Sequence, residues 1–99
     1  MKLKKVAFAR SSDKGDNVDI SLFARDNDGY ILIRKSVTAE KVAGHFAAFG
    51  ISEVERYEVP NLLALKFVLR NALEGGATRC IRADNLGKTF SGALLRMEI

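Results

Sequence analysis

Residues 10–17 bring together side chains that could bind an ion or an anionic group. The segment follows an apolar stretch and carries five charged or amide side chains and one glycine. It reads Arg10, Ser11, Ser12, Asp13, Lys14, Gly15, Asp16 and Asn17. A glycine among polar residues is typical of a turn, and functional side chains often lie in loops that rigid elements hold in place. We therefore predict that residues 10–17 form a loop after a strand and are the main candidate site.

Two kinds of ligand fit these residue types. Asp13 and Asp16 could together hold a magnesium ion, and Arg10 with Lys14 could hold a phosphate or a carboxylate. The alternative is structural, because the Asp13 and Asn17 side chains could instead bond to neighbouring backbone groups and shape the turn. The formal charges of the segment cancel, which argues against a simple ion site of either sign. The residue types alone leave the functional and the structural interpretation open.

Other possible motifs are weaker. Gly87, Lys88 and Thr89 resemble the end of a phosphate-binding loop, but the glycine that this motif needs five residues earlier is absent. His45 is the only histidine and is expected on the surface, and the single Cys80 is expected to pack as a small apolar side chain. We therefore predict no metal site and no cofactor, and the sequence assigns no catalytic residue.

The composition is typical of one globular domain. With 99 residues, 47% of them hydrophobic and 28% charged, the chain predicts a single domain over residues 1–99. No apolar run reaches the roughly 20 residues of a membrane span, and one cysteine cannot form an internal disulfide. We expect a cytoplasmic protein without membrane contact. The net charge is +4, but acidic residues interrupt the basic ones along the chain, so nucleic-acid binding is not predicted.

The hydrophobic pattern predicts a mixture of strands and helices. The predicted strands cover residues 3–10, 18–24, 53–59 and 78–83. Residues 18–24 alternate between apolar and polar side chains, which is the pattern of a half-buried strand. This mixture predicts an α+β fold with a sheet of about four strands and two or three helices packed on one face.

The segments between these strands are less uniform. Residues 25–29 have the composition of a turn, and residues 30–37 fit either a strand or a short helix. Thr38 is expected to cap a helix that reaches about Phe49, and a last helix is expected from Phe90 to Met97.

Residues 62–73 are predicted to form an unusually apolar helix that Asn61 caps. Only Lys66 and Arg70, four residues apart, interrupt its apolar surface. Gly75 and Gly76 would end it, since glycine is common after the last turn of a helix. A surface helix normally has a wider polar face. We therefore expect that either the last helix or another polypeptide covers it.

The segments that carry a family resemblance follow one another along nearly the whole chain. They are residues 9–17 with Ile20, and residues 38–42, 54–62, 64–70, 75–76 and 94–98. These segments resemble the small C-terminal domain of the acyclic terpene utilisation (AtuA-like) family. That domain occurs fused behind a larger domain and also as a stand-alone protein. The resemblance implies a ferredoxin-like variant of the α+β fold.

Two positions depart from the family pattern. Ser12 replaces the first glycine of the usual Ser-Gly-Asp-Lys-Gly, and the usual glycine triplet is shortened to Gly75 and Gly76 followed by Ala77. If those glycines let the backbone approach a ligand, this chain would bind more weakly or need a partner. We therefore include Gly75 and Gly76 among the candidate binding residues.

The resemblance also implies a role and a partner. It implies a place in the catabolism of acyclic terpenes or related branched acyl-CoA compounds, without an established reaction. The leading hypothesis is an accessory subunit that docks on a larger AtuA-like subunit and forms a homo-oligomer in its absence. Two alternatives remain: a small enzyme that acts on a CoA-linked or carboxylate substrate as a homo-oligomer, and a purely structural oligomerisation module.

Overall fold

The computed structural model describes residues 1–14, 17–47, 51, 53–70 and 86–99, with residues 12–14 and 86–89 described by their backbone alone. Within these ranges the chain forms one four-stranded sheet and three α-helices. The predicted strand over residues 78–83, and with it Cys80, lies outside the described residues.

The sheet is antiparallel throughout. Its strands are β1 (Ala7–Lys14), β2 (Asn17–Ala24), β3 (Glu53–Val59) and β4 (Ala64–Arg70), in the order β1-β2-β4-β3. The α+β prediction is therefore confirmed, and so are the strands predicted over residues 18–24 and 53–59. The sheet places β2 and β4 at its centre.

The prediction that residues 10–17 form a loop is wrong, because most of this segment lies in strands. Residues 3–5 form a single 3-10 turn, and β1 begins at Ala7 and continues to Lys14. Lys14 pairs with Asn17 in the register of β1 and β2, so only Gly15 and Asp16 stand between the strands, outside the described residues. Pairing with the alternating strand β2 extends β1 through its polar residues, because the backbone hydrogen bonds of a hairpin do not depend on side-chain polarity.

The first two helices follow β2. Helix α1 (Asn27–Ser36) begins after Asp26, whose Oδ1 accepts a hydrogen bond of 2.7 Å from the backbone N–H of Gly29. The predicted turn over residues 25–29 is thus largely a capped helix start, and residues 30–36 of the ambiguous segment are helical, with Val37 following the helix. Helix α2 (Ala39–His45) is capped by Thr38 as predicted, with Oγ1 at 3.1 Å from the N–H of Lys41. It ends at His45, before the predicted limit.

Residues 62–70 do not form the predicted apolar helix, and residues 71–73 lie outside the described residues. Asn61, the predicted cap, lies within a 3-10 turn. Pro60–Leu62 make one 3-10 turn, Leu63 adopts a left-handed backbone with φ of 53°, and β4 follows from Ala64. A strand between two neighbours, with helices on one face, can be apolar along most of its length, and such a run does not distinguish strand from helix. Because β4 takes the place of that helix, the prediction that either the last helix or another polypeptide covers an apolar helix here is wrong.

The core lies between the sheet and the helices. Every second side chain of the two central strands is fully buried on this side: Val18, Ile20, Leu22, Leu65, Phe67 and Leu69. The helices bury Ile33, Val42, Phe46, Phe90 and Leu94 against them. Helix α3 (Leu86–Leu95), which matches the predicted last helix, packs mainly on β1. The alternate side chains of the strands are left on the opposite side of the sheet.

Candidate binding face of the sheet

The side of the sheet opposite the core presents a mixed aromatic and charged surface, which we call the open face. Its described side chains are Phe8, Arg10, Asn17, Asp19, Ser21, Phe23, Glu53, Glu55, Tyr57, Val59, Lys66, Val68 and Arg70. Phe8 and Tyr57 are 43% and 50% exposed there.

One end of the open face is apolar. Phe8 and Phe23 are opposite each other in the register of β1 and β2, with ring centroids 5.2 Å apart and planes inclined by 17°. Stacked rings of this kind contribute about 0.5–1.5 kcal/mol beyond the area that they bury. The guanidinium carbon of Arg25 lies 5.9 Å from the centroid of the Phe8 ring, within the range of a cation–π contact.

The next row across the sheet carries two cations. Register places Arg10, Ser21, Lys66 and Tyr57 side by side on β1, β2, β4 and β3. Lys66 Nζ pairs with Asp19 Oδ2 at 3.0 Å. Arg10 is exposed and forms no ion pair or hydrogen bond with another described residue. It is therefore available to a carboxylate or phosphate from outside.

A third group joins β3 and β4. Arg70 donates two-pronged hydrogen bonds to Glu55, at 3.1 Å from Nε and 2.9 Å from Nη2 to Oε2, and the Tyr57 hydroxyl donates to Glu55 Oε1 at 2.8 Å. The hydrogen bond from Tyr57, with those from Arg70, lowers the pKa of Glu55, and the same bond raises the pKa of Tyr57. Glu55 therefore stays ionised and Tyr57 stays protonated near neutral pH, so this pair holds a fixed geometry and is a poor proton carrier.

Asp19 has an unusual environment for a carboxylate on the open face. Its side chain is only 12% exposed, and Oδ1 is buried without a hydrogen-bond partner among the side chains that the structure describes, while Oδ2 binds Lys66. A buried oxygen without a donor costs about 1–3 kcal/mol. The Lys66 ammonium offsets part of that penalty.

The structure separates the residues of the predicted site. Arg10 and Asn17 lie on the open face, whereas Ser11 lies in the row of Ile20 and Phe67, on the side of the helices. The backbones of Asp13 and Lys14 lie in β1. Gly15, Asp16, Gly75 and Gly76 lie outside the described residues.

The sequence interpretation missed the residues that β3 and β4 add to the open face. Lys66 and Arg70 were assigned to a helix, and Tyr57 was not considered. The signal that could have found them is period two: positions 66, 68 and 70 share one face of a strand, as positions 19, 21 and 23 do.

Two further places carry charged groups. A shallow cleft of about 270 Å³ lies beside the start of α1, where Lys5 and Arg25 face Asp26 and Asp28; the Asp26 carboxylate already caps the helix. His45, exposed as predicted, also ties α2 to α3, with Nε2 at 2.6 Å from the carbonyl oxygen of Ala93. No cluster of three or more potential metal ligands occurs within the described residues.

Comparison with known proteins identifies the family of this chain. A family model described as the AtuA ferredoxin-like domain matches residues 1–99. The chain belongs to this family. No curated protein and no solved structure matches it. No helix within the described residues of this AtuA ferredoxin-like domain is both long and apolar enough to cross a membrane.

The order of strands in this AtuA ferredoxin-like domain is a rearranged one. In a βαββαβ ferredoxin-like fold the last strand forms the edge beside the first strand. Within the described residues the first strand, β1, occupies that edge. The described sheet is therefore ferredoxin-like in its order, with the first strand in place of the last one at this edge.

Proposed function

We propose that this chain is an accessory binding subunit that acts with a larger AtuA-like protein in the catabolism of acyclic terpenes or related branched acyl-CoA compounds. Membership of the AtuA ferredoxin-like family supports the link to that larger protein. Under this proposal the chain works in the cytoplasm and has no turnover by itself.

The observation that carries this proposal is the exposed aromatic and cationic end of the open face. Phe8 is 43% exposed although it stacks on Phe23, and Arg10 beside it has no partner among the described residues. Aromatic residues and arginine are enriched among the side chains that contribute most to protein interfaces. The docking surface is therefore assigned to the open face, in place of the apolar helix that the sequence suggested.

The end of the β1–β2 hairpin is assigned to the same interface. Asn17 lies on the open face in the row of Arg70, and the charged residues Asp13 and Lys14 precede it in β1. A partner seated on the open face would reach this hairpin end, so the predicted residues 10–17 would contribute one side of a shared site.

Co-purification tests the proposal. The chain and the larger AtuA-like protein are co-expressed with one affinity tag, and the complex is compared for the natural chain, Phe8→Ser and Arg10→Glu. We expect both variants to reduce recovery of the complex at least about tenfold, because each removes an aromatic or arginine side chain of the kind that contributes most to protein interfaces. Lys35→Glu is the matched control: Lys35 is exposed on α1, on the far side of the sheet, and its change of charge equals that of Arg10→Glu.

Two results would contradict the proposal. One is full recovery of the complex with both open-face variants, which would remove the open face from the interface. The other is turnover of an acyl-CoA by the isolated chain that disappears when Asp13 and Lys14 are both changed to alanine, which would favour the small enzyme. Loss of stability alone in the Asp13 and Lys14 variant would favour the structural module.

A further inference from the structure

The charges of the open face are divided between its two edges. On the β1 edge lie Arg10 and, above the Phe8 ring, Arg25. On the β3 edge lie Glu53 and Glu55. Lys66 with Asp19, and Arg70 with Glu55, form pairs in and beside the central strands. Arg70 neutralises Glu55, so the side chains that form no ion pair with a described residue are Arg10 on the β1 edge and Glu53 on the β3 edge. One edge is therefore basic and the other acidic.

The apolar residues of the open face occupy one end of the sheet. Register places Phe8, Phe23, Ala64 and Val59 in one row across all four strands. The rows that follow toward the other end contain the charged residues. Across the strands the open face thus changes from basic at β1 to acidic at β3. Along the strands it changes from apolar at one end to charged at the other.

If two copies stack face to face about a two-fold axis parallel to the strands, unlike charges face each other and apolar residues meet apolar residues. This axis lays β1 of one copy over β3 of the other and keeps each row over the same row of its partner. The apolar rows then meet, and the basic edge of each copy faces the acidic edge of the other. A two-fold axis across the strands would instead lay basic on basic and apolar on charged. Such a self-complementary patch is what a symmetric dimer requires.

We propose that two copies of this chain associate face to face through the open face, with β1 over β3 of the partner. The sheets would lie about 10 Å apart with their strands inclined by about 30°. At that spacing Arg10 can reach Glu55 or the hydroxyl of Tyr57 in the second copy, and the Phe8 ring contacts the Val59 row.

The size of the open face sets the strength of this dimer. Four strands about 4.8 Å apart and seven residues long present roughly 450 Å² per partner. The total, roughly 900 Å², lies below the range of stable complexes and belongs with weak, transient ones. We expect a dimer that forms at micromolar concentration and that a larger partner on the same face displaces.

The inference deepens the proposed function because it gives the same surface a second occupant, which is present when the larger protein is absent. Sedimentation velocity from about 1 to about 500 µM measures the dimerisation constant. The natural chain is expected to change from monomer to dimer in this range. Arg10→Glu is expected to raise the dissociation constant at least about tenfold, because it places two like charges at each edge of the dimer.

A charge exchange within one chain makes the test specific to this arrangement. Glu53 is exposed on the acidic edge and forms no ion pair with another described residue. Glu53→Lys alone should weaken the dimer, whereas Arg10→Glu combined with Glu53→Lys should recover part of the lost affinity, since the edges are again opposite in sign. Lys35→Glu, with the same change in charge on α1, should leave the dissociation constant within about twofold.

Folding is checked for every variant by circular dichroism, and amide shifts during dilution of the natural chain provide a second measurement. Shifts are expected in β1 to β4 and not in α1. A chain that stays monomeric at about 500 µM overturns the inference, as does a dimer that neither Arg10→Glu nor Phe8→Ser weakens. A monomeric chain that still binds the larger protein through the open face would leave the proposed function standing. A chain that dimerises through the open face but does not bind the larger protein would leave the dimer inference standing and contradict the proposed function.

Discussion

At the scale of single residues, the polar groups of this domain differ in how fully they are satisfied. Glu55 receives hydrogen bonds from both Tyr57 and Arg70. The Tyr30 hydroxyl and Asp19 Oδ1 are buried and have no hydrogen-bond partner within the described part of the chain. Satisfied groups stabilise the fold by modest amounts, and a buried unsatisfied one removes a comparable amount. Removing a satisfied group such as the Glu55 carboxylate is therefore expected to lower stability, whereas removing an unsatisfied one such as the Tyr30 hydroxyl is not.

Tyr30→Phe is expected to leave stability unchanged or to raise it by up to about 1 kcal/mol, because it removes only a buried hydroxyl that bonds to none of the described residues. The ring stays in the core, where Tyr30 is 8% exposed. Chemical denaturation of the two proteins measures the difference. Tyr30→Ala serves as the comparison and should cost about 3 kcal/mol, since it empties the ring's place. A clear loss of stability in Tyr30→Phe would mean that the hydroxyl is bonded.

Glu55 gives the domain a stability that depends on pH. Its pKa is lowered from 4.5 in the folded chain, so its contribution is present above the unfolded pKa and is lost as the pH falls through the folded value. We expect the melting temperature to fall less between pH 7 and pH 3 in Glu55→Gln than in the natural chain. Glu53→Gln is the control, because Glu53 is an exposed carboxylate on the same strand. Parallel curves for all three proteins would contradict the assignment.

At the scale of elements, β3 holds the end of α1 through one side chain. Arg56 donates from Nε to the carbonyl oxygen of Val37 at 3.0 Å and from Nη2 to that of Arg34 at 2.7 Å. These carbonyls lie at the C-terminus of the helix, where no further turn supplies donors. A cation there also opposes the negative end of the helix dipole. The Arg56 guanidinium thus links β3 to α1 by donating hydrogen bonds to two carbonyl oxygens at the end of the helix.

Arg56→Ala is expected to destabilise the domain by about 2 kcal/mol, because hydrogen bonds from a charged donor are the stronger kind and two carbonyls lose theirs. Arg56→Lys should lose less, since an ammonium reaches one carbonyl and keeps the charge. Arg34→Ala is the matched control: it keeps the backbone carbonyl and removes only an exposed side chain. Thermal and urea denaturation would show the ranking. Equal effects of Arg34→Ala and Arg56→Ala would rule out the capping role.

The elements also show which parts of the fold a sequence can predict. Strand β2 was predictable because its open face is polar at Asp19 and Ser21, so apolar and polar residues alternate. In β4 the open face carries Val68 between Lys66 and Arg70, and the alternation disappears. The two cations, four residues apart, then fit a helix equally well. What decides between them is pairing with β2 and β3, which local pattern does not contain.

The same limit applies to the candidate site. Arg10 and Asn17 could be chosen from the sequence because they stand in one polar segment. Lys66 and Tyr57 join Arg10 only through the register of four strands. Tyr57 and Lys66 lie 47 and 56 residues after Arg10 in the chain, so no local motif connects them with Arg10. The sequence located one edge of the open face, and the pairing of β2 with β4 supplies the rest.

At the scale of the whole molecule, the two ends of the chain meet. The backbone N–H of Leu3 donates to the carbonyl oxygen of Met97 at 2.9 Å, and that of Ile99 donates to Met1 at 3.0 Å. The terminal amine also pairs with Glu98 at 3.1 Å. A connection from the end of α3 into β1 would therefore restore the βαββαβ order of an ordinary ferredoxin-like fold.

A circular permutant tests whether the sheet tolerates either order. Ile99 is joined to Met1 by a short glycine and serine linker, and the chain is opened between Gly15 and Asp16. We expect a folded protein within about 2 kcal/mol of the natural chain, because the hairpin contributes one short loop closure and the linker replaces it. The lost terminal ion pair is exposed and contributes little. Circular dichroism and denaturation with urea measure the result.

Opening the linked chain between Lys66 and Phe67 is the matched control. This cut divides β4, which lies between β2 and β3 and buries Phe67, so that permutant should not fold. The permutant opened at the hairpin then separates the two interpretations of residues 10–17. If the partner docks on the open face, this permutant keeps Phe8 and Arg10 in place and binds the larger protein as the natural chain does. If the continuous segment from Asp13 to Asn17 is itself the site, cutting that segment abolishes binding while the fold survives.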